Sequence, residues 1–303
     1  MKLYLYLLLE IDIFRKIMAG NSIMILFSRK TTSFNILLIG LSALFADQPD
    51  APRGRSGGND VVKISPIGIE AVLVEGGTFE MGDKFNVGDS DEKPVHKVTL
   101  SDFYMSVTEV TIQQYKIFCR KTGRKMPMQG TGSKNDYPIA FVTWFDAMDF
   151  CKWAGGSLPT EAQWEYAATS GGMSVKYPTG NDLDHSMANY SGTGKKDRWK
   201  RIAPVAKFPP NIFGIYDLAG NVYEWCFDYY KSGYYSLPAY RDPQGPATSM
   251  FRVLRGGSWY HDKDELRSSD RFRYMPVARV SFVGFRVVWD PETVSISRTR
   301  SDQ

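Results

Sequence analysis

The half of the chain that follows Gly171 constrains the fold most, because little in it could form a long regular element. Gly, Pro, Asn and Asp recur throughout this half and separate short apolar stretches, and these residue types mark turns and loops. The chain shows no alternation of strands with helices that would indicate βαβ units, and no repeat at a solenoid period. The sequence therefore predicts an α+β domain that is rich in loops and low in regular secondary structure.

Three helices are predicted before this half, each from a capping box, in which a threonine precedes a polar side chain by three positions. The three boxes are Thr111 with Gln114, Thr143 with Asp146, and Thr160 with Gln163. In the second helix Cys151 falls on the apolar face, which indicates a small core residue. Two consecutive glycines, Gly155 and Gly156, predict the end of that helix.

Short strands are predicted on both sides of a glycine turn near the start of the domain. Residues 71–74 form an apolar strand, Gly76 and Gly77 a turn, and residues 78–81 the returning strand. Residues 98–104 predict one further short strand. No second linker appears after this region, so residues 67–291 are predicted to form one domain.

The first 46 residues have the composition of an export signal. Two basic residues at 29–30 precede an apolar run at 36–46 that ends in a small residue, as in secretory signals. The run is shorter than the ~20 residues that a membrane-spanning helix needs. Residues 1–46 are predicted to be a signal peptide, or a misassigned start followed by one from Met18 or Met24; an uncleaved anchor is the alternative. Export to the periplasm or the cell surface follows.

The segments outside the domain are polar. Residues 47–66 are rich in Pro, Gly and charge, which is typical of a linker. Residues 292–303 lack periodicity and predict a disordered tail. No contact with a membrane beyond export or anchoring is predicted.

Charge and cysteine content exclude several classes of protein. The net charge is +4, and no dense basic cluster accompanies a nucleic-acid motif, so nucleic acid is not a predicted partner. Three cysteines without a local pattern argue against a disulfide framework. The three histidines are scattered, and no His, Cys or carboxylate cluster has transition-metal spacing.

Five segments in a fixed order carry a resemblance to a known family. They are EGGTFEMG at 75–82, LPTEAQWEYAA at 158–168, NIFGIYDLAGNVYEW at 211–225, RGGSW at 255–259 and GFR at 284–286. Together they resemble the formylglycine-generating enzyme, or sulfatase-modifying factor, family over roughly residues 70–290. The resemblance implies a C-type-lectin-like α+β fold with many ordered loops.

The resemblance also indicates that the catalytic cysteines of the family are missing. Members that oxidise a substrate cysteine carry one active-site cysteine three residues after the serine of the Gly-Gly-Ser motif and another eight residues after it. These positions hold His261 and Leu266. Neither side chain replaces a thiolate as nucleophile or soft-metal ligand. The chain is therefore predicted not to be a formylglycine-generating enzyme, although the resemblance leaves a different activity open.

Calcium is the cofactor that the resemblance implies, as a structural ion. Carboxylate and carbonyl oxygens suit such a hard cation. The first set that matches the family is Asp217, Gly220, Val222 and Glu224. A second, poorer match is Asn189, Tyr190, Asp197 and Trp199, where the spacing to the aspartate is shorter than usual. Loop capping and ion pairing are the alternative roles for these acids.

The stretch between the last two motifs, within residues 253–288, combines a frame with residues that follow no periodicity. It resembles the variable region of proteins that retroelements diversify; non-catalytic family members with a similar frame are the alternative. The frame residues are Trp259, Leu266, Arg267, Ser268, Arg271, Pro276, Arg279 and Gly284–Arg286. The predicted ligand-binding residues between them are Tyr260, His261, Asp262, Asp264, Asp270, Phe272, Arg273, Tyr274, Val277, Val280, Ser281 and Phe282.

Three functions are compatible with these sequence features. The first is an exported, surface-displayed protein that binds a ligand, most simply another protein; its oligomeric state is left open, with a monomer favoured. Exposed aromatic rings with nearby acids would form the binding surface. The second is an enzyme of another kind, with His261 as its titrating group. The third is a structural subunit of the envelope.

Overall fold

The structure is a computed structural model that describes residues 61–64, 66–237 and 240–294, and the main chain of 296–297. The predicted signal region, most of the predicted linker and the last residues of the predicted tail lie outside the described residues. Among the residues that are described, no helix has the length and apolar character needed to cross a membrane.

The regular elements are short, as the sequence predicts. The strands are β1 (Val62–Ile64), β2 (Ile69–Val74), β3 (Gly77–Met81), β4 (His96–Leu100), β5 (Phe103–Ser106), β6 (Tyr223–Tyr229), β7 (Arg252–Arg255), β8 (Phe272–Tyr274), β9 (Val283–Gly284), β10 (Val288–Trp289) and β11 (Ile296–Ser297). The α-helices are α1 (Ile112–Thr122), α2 (Trp144–Trp153) and α3 (Glu161–Ala168). Three 3₁₀ turns cover Ser90–Glu92, Tyr234–Ser236 and Lys263–Leu266.

The strands form three sheets. The first has the order β10-β5-β2-β1-β11, the second is the pair β3-β4, and the third has the order β8-β7-β6-β9. Every pairing is antiparallel except that of β6 with β9, which is parallel. The third sheet carries the motif residues of β6 and β7 next to β8, so it positions the C-terminal stretch.

All three predicted helices begin at their capping boxes. In α1, the Thr111 Oγ1 accepts a hydrogen bond from the Gln114 N–H at 3.2 Å, and the Gln114 Oε1 accepts one from the Thr111 N–H at 2.8 Å. The same reciprocal pairs open α2 and α3. Such a cap contributes about 1 kcal/mol to stability. Gly155, with a φ of 76°, follows the last turn of α2, where the two glycines predict the end of the helix.

The prediction that β3 returns along β2 is wrong. β2 pairs with β1 and β5, whereas β3 pairs with β4 in a different sheet. The reason is a close crossing at Gly76, where a Cβ atom would lie 2.2 Å from the Leu100 carbonyl oxygen. The strand predicted over 98–104 is also interrupted, because the Asp102 carboxylate accepts the Gly76 N–H at 2.7 Å between β4 and β5.

The domain extends further at both ends than its predicted limits of 67 and 291. β1 lies inside the predicted linker and pairs with β2, and β11 lies inside the predicted disordered tail and pairs with β1. In both segments, pairing with a neighbouring strand satisfies the hydrogen-bonding potential of main-chain groups. Compositions typical of a linker and a tail do not predict this pairing.

The buried core lies between the third sheet and the helices. One cluster joins Tyr223, Trp225 and Phe285 to α1 and α2, and a second joins α3 to the pair β3-β4. All three cysteines are free and buried, and Cys151 is a fully buried core residue, as predicted. This core lies directly beneath the C-terminal stretch and supports its residues.

Candidate ligand-binding site

Five of the predicted ligand-binding residues form one continuous group of rings, which we name the aromatic face: Tyr260, His261, Phe272, Tyr274 and Phe282. The rings of Tyr260 and Phe282 stack at 5.9 Å between centroids. His261 joins Phe282 at 5.0 Å and Phe272 at 5.9 Å, and Tyr274 joins Phe282 at 6.4 Å. The fold thus brings together rings from three parts of the stretch between residues 260 and 282.

The third sheet positions these rings. Phe272 and Tyr274 are alternate residues of β8, so both side chains lie on the same side of the strand. Beneath them is Tyr223 of β6, a fully buried ring that stacks on Phe272 at 5.1 Å and contacts His261 at 4.8 Å. The Tyr223 N–H donates to the Phe282 carbonyl oxygen at 2.8 Å, which fixes the last ring of the group. Tyr223 is a support of this site that was not predicted from the sequence.

The aromatic face is open to solvent. The Tyr260 side chain is 64% exposed, and the other four rings are half-buried. Asp262 and Asp264 are exposed on the turn that follows His261. Val277 is also exposed, at 65%. Rings that present one side to solvent and are held from below offer contact area at a low entropic cost.

Three other predicted residues lie apart from the ring group. Arg273 is on the opposite side of β8, where its guanidinium lies over the Tyr230 ring at 4.6 Å and donates to the Tyr230 hydroxyl at 3.0 Å. Val280 packs against the core, and the Ser281 carbonyl oxygen accepts from the Trp259 indole N–H at 3.4 Å. Strand alternation explains the position of Arg273.

Asp270 is buried, which corrects its prediction as an exposed ligand contact. Its side chain is 3.2 Å from the Arg267 guanidinium, which also binds both oxygens of Glu92 at 2.6 and 2.8 Å. One guanidinium therefore faces two buried carboxyls. Hydrogen bonds and charge from Arg267 outweigh burial and hold the pKa of Glu92 below its usual value, whereas burial raises the pKa of Asp270 to about 8.

Buried ion pairs hold two of the predicted frame residues, Arg267 and Arg271, in place. Arg271 binds both oxygens of Glu161 at 2.7 and 2.9 Å, and Arg255 pairs with Glu165. We call Arg255, Arg267 and Arg271, with Glu92, Glu161 and Glu165, the arginine network. All six residues are buried. Frame positions are thus mostly buried and the positions between them mostly accessible, with the buried Asp270 and Val283 and the exposed Arg279 as exceptions.

The two positions of the family's cysteines have different environments. Leu266 is fully buried and packs with Tyr177 and Ala219 in a small core cluster. His261 lies in the aromatic face, and its Nδ1 is 2.6 Å from the Ser258 hydroxyl oxygen. Burial lowers the pKa of His261 and thereby favours its neutral imidazole. Ser258 itself is fully buried, so this pair presents no accessible hydroxyl.

The first predicted calcium set is brought together around a guanidinium. Arg286 binds both oxygens of Glu224 at 2.6 Å, and the Trp164 indole N–H donates to the same carboxylate at 2.8 Å. Asp217 accepts the Ala206 N–H at 2.7 Å. Because both oxygens of Glu224 are engaged, this arrangement does not fit a calcium ion. Burial raises the pKa of Asp217 to about 6.

The second predicted set fits a hard cation better. The Asn189 Oδ1 and the Asp197 Oδ2 are buried oxygens without a hydrogen-bond partner, as such ligands would be, and the Asp197 Oδ2 lies 3.4 Å from the His185 Nδ1. Tyr190 and Trp199 lie beside them in sequence and would add main-chain oxygens. The described residues contain no group of three or more His, Cys, Asp or Glu side chains that could hold a metal, so amide and main-chain oxygens would have to contribute. Calcium bound here would stabilise the loop.

Comparison with known proteins identifies the family. Residues 65–291 match the model of the sulfatase-modifying factor enzyme 1-like domain. The chain belongs to this family. Among its relatives, the formylglycine-generating enzyme of Thermomonospora curvata is 32% identical, over 77% of this chain and 98% of that protein. The serine/threonine-protein kinase pkn1 of Chlamydia pneumoniae is 36% identical over 82% of this chain, and the match spans only 42% of that protein.

Solved structures confirm the predicted fold of this family member. PvdO from Pseudomonas aeruginosa has a TM-score of 0.68 and 26% identity, over 77% of this chain and 99% of that chain. Treponema denticola variable protein 1 has a TM-score of 0.64 and 24% identity, again over 77% and 99%. The loop-rich C-type-lectin-like α+β fold of the formylglycine-generating enzymes is therefore confirmed.

Proposed function

We propose that this family member is an exported ligand-binding protein without formylglycine-generating activity, and that the aromatic face binds the ligand. The observation that carries the proposal is a group of five touching rings that is open to solvent and is supported from beneath by the buried Tyr223 ring. Aromatic rings dominate the energetic centres of protein interfaces, so a protein is the ligand class that fits best. The histidine and leucine at the cysteine positions support a non-catalytic role.

Peptide selection on the full chain tests the proposal. A random peptide library displayed on phage is selected against the wild-type protein, and each enriched clone is then tested on Tyr260→Ala/Phe282→Ala. The control is Met250→Ala, because Met250 is an exposed apolar side chain outside the aromatic face. We expect enriched clones to lose binding more than tenfold on the double variant only. Clones that bind both variants equally would contradict the proposed site.

The enzymatic alternative has its own assay. The protein is incubated with a cysteine peptide that a formylglycine-generating enzyme converts, and the peptide mass is measured. We expect no conversion, whereas conversion above the level of a His261→Ala control would overturn the non-catalytic proposal. A structural envelope subunit would show neither conversion nor peptide binding at the aromatic face.

We also propose that the accessible positions of the C-terminal stretch are diversified. Gene sequences from several isolates test this, because changes should accumulate at Tyr260, His261, Phe272 and Tyr274. Asp270 is expected to stay fixed with the frame, since it is buried beside Arg267. An identical stretch in every isolate would contradict diversification and leave a fixed ligand.

A further inference from the structure

A loop close to the aromatic face is strongly basic. Residues 195–201 read Lys-Lys-Asp-Arg-Trp-Lys-Arg, and we name them the basic loop. Its cationic side chains, all of them exposed, are Lys195, Lys196, Arg198, Lys200 and Arg201. No function was predicted for these cations from the sequence.

The main chain connects this loop to the aromatic face. The Ser191 N–H donates a hydrogen bond to the His261 carbonyl oxygen at 2.9 Å. Lys195 follows Ser191 by four positions, and four residues span at most about 14 Å of extended chain. The basic loop therefore begins within the width of a protein interface from the rings.

Contacts within the loop hold its conformation. The Asp197 carboxylate accepts the Trp199 N–H at 2.8 Å and lies 3.4 Å from the His185 imidazole. The Trp199 ring packs against Phe208 at 5.7 Å between centroids. Cations on an anchored loop lose less conformational freedom on binding than cations on a free segment.

The charge of the loop is only partly compensated. Lys196 forms an exposed ion pair with Asp184 at 2.5 Å, and Arg198 lies over the Trp199 ring at 4.8 Å. Asp262 and Asp264 are exposed acids on the turn after His261. An anionic lipid surface would meet repulsion from these two acids, whereas a protein can place acids against the loop and basic groups against the turn.

We infer that the ligand of the aromatic face is a protein that carries an acidic segment, and that this segment lies against the basic loop. The inference rests on the proposed function, since it assumes that the aromatic face is the binding site. Apolar groups of the ligand would cover the rings. Its carboxylates would steer the encounter and set its selectivity.

The clones selected on the wild-type protein provide the test. We expect those that depend on the aromatic face to be enriched in Asp and Glu beside aromatic or aliphatic residues. Their affinity should fall at least tenfold on Lys195→Gln/Lys200→Gln/Arg201→Gln and should weaken with added salt. The matched control, Arg120→Gln/Lys121→Gln/Lys125→Gln, removes the same charge at the end of α1 and should change little.

The outcomes separate the two proposals. Clones that need the aromatic face, carry no acids and bind both triple variants equally would overturn the acidic ligand and leave the proposed function standing. Clones that do not need the aromatic face would overturn the proposed function itself. Sedimentation with vesicles of phosphatidylcholine and phosphatidylglycerol is run in parallel. Vesicle binding that the loop variant abolishes would overturn the protein ligand in favour of a lipid surface.

Discussion

The arginines of the network and the rings of the aromatic face lie within the same C-terminal stretch, yet different forces hold them. Each guanidinium of the network is buried against carboxylates from distant parts of the chain, as in Arg271 with Glu161. The rings of the aromatic face contact one another, and the half-buried ones pack against the apolar core that includes Tyr223. Substitution of a network residue should therefore destabilise the domain strongly, whereas substitution of an exposed ring should have little effect on its stability. Residues that stabilise the fold are thus separate from residues that are exposed for contact, as in binding sites on loops of a rigid scaffold.

The sharpest way to break this comparison is to remove one guanidinium of the network. Arg271→Ala leaves Glu161 buried without its bidentate partner, and we expect it to cost about 3–5 kcal/mol of stability. Urea denaturation measures the loss. Arg279→Ala is the control, because the Arg279 guanidinium is exposed where it pairs with Asp146 and donates to the Phe141 carbonyl oxygen, and its removal should cost about 1 kcal/mol or less. Equal losses of stability in the two variants would contradict a larger contribution from the buried ion pair than from the exposed one.

The two buried acids of Arg267 allow a test by pH. In the unfolded chain Asp270 has an ordinary pKa near 4, whereas burial raises its pKa to about 8 in the folded protein. The folded state therefore holds the proton more tightly, and stability falls as pH rises from about 4 to 8. Between pH 5 and 8, wild type should lose up to about 4 kcal/mol relative to Asp270→Asn.

Denaturation of both proteins at several pH values measures this difference. Asp262→Asn is the matched control, because Asp262 is exposed and its substitution should leave the pH dependence unchanged. A wild type and an Asp270→Asn protein that respond alike to pH would contradict an unionised Asp270 beside Arg267.

Addition of calcium tests whether the loop that carries Asn189 and Asp197 is stabilised by a bound ion. If Asn189 and Asp197 hold the ion, calcium at 100 times its Kd should add about 2.7 kcal/mol of stability. Thermal unfolding with calcium and with chelator measures the gain. Asp197→Ala should abolish it, whereas Glu224→Gln should retain it, because Glu224 is bound by Arg286. If only Glu224→Gln abolished the gain in stability, the first predicted calcium set would bind the ion rather than the second.

The smallest expected effect is on the aromatic face. Tyr260→Ala should change stability by less than about 0.5 kcal/mol, because most of this side chain is exposed. Tyr223→Ala, beneath the same rings, should cost about 3–5 kcal/mol. The two midpoints of denaturation measure the difference. A large loss in Tyr260→Ala would mean that the face is a part of the core.

Structural features that depend only on neighbouring residues were predicted from the sequence. The capping boxes at Thr111, Thr143 and Thr160 satisfy their own helix ends, so a few residues of sequence predict each helix start. The pairing of β2 and β3 depends instead on the crossing at Gly76 and Leu100, which no local pattern contains. The fold itself was predicted through motif order, because a single motif is compatible with many folds.

The candidate site was predictable as a stretch but not residue by residue. Asp262 and Asp270 are the same residue type within one short stretch, and only one is exposed. The difference arises from Arg267, whose partner Glu92 is 175 residues away. Similarly, one side-chain oxygen each of Asn189 and Asp197 is buried without a hydrogen-bond partner because of the residues packed around it, and a motif match does not reveal this packing.

The long separation of the network partners has a consequence for synthesis of the protein. Glu92 and Glu161 leave the ribosome well before Arg267 and Arg271, which lie 175 and 110 residues further on. Contacts of such high sequence separation slow folding, since a long loop must close first. Until the C-terminal stretch is made, these carboxylates have no guanidinium partner from the network. A translation product that stops before Arg267 therefore carries the helices but cannot complete the support on which a binding surface depends.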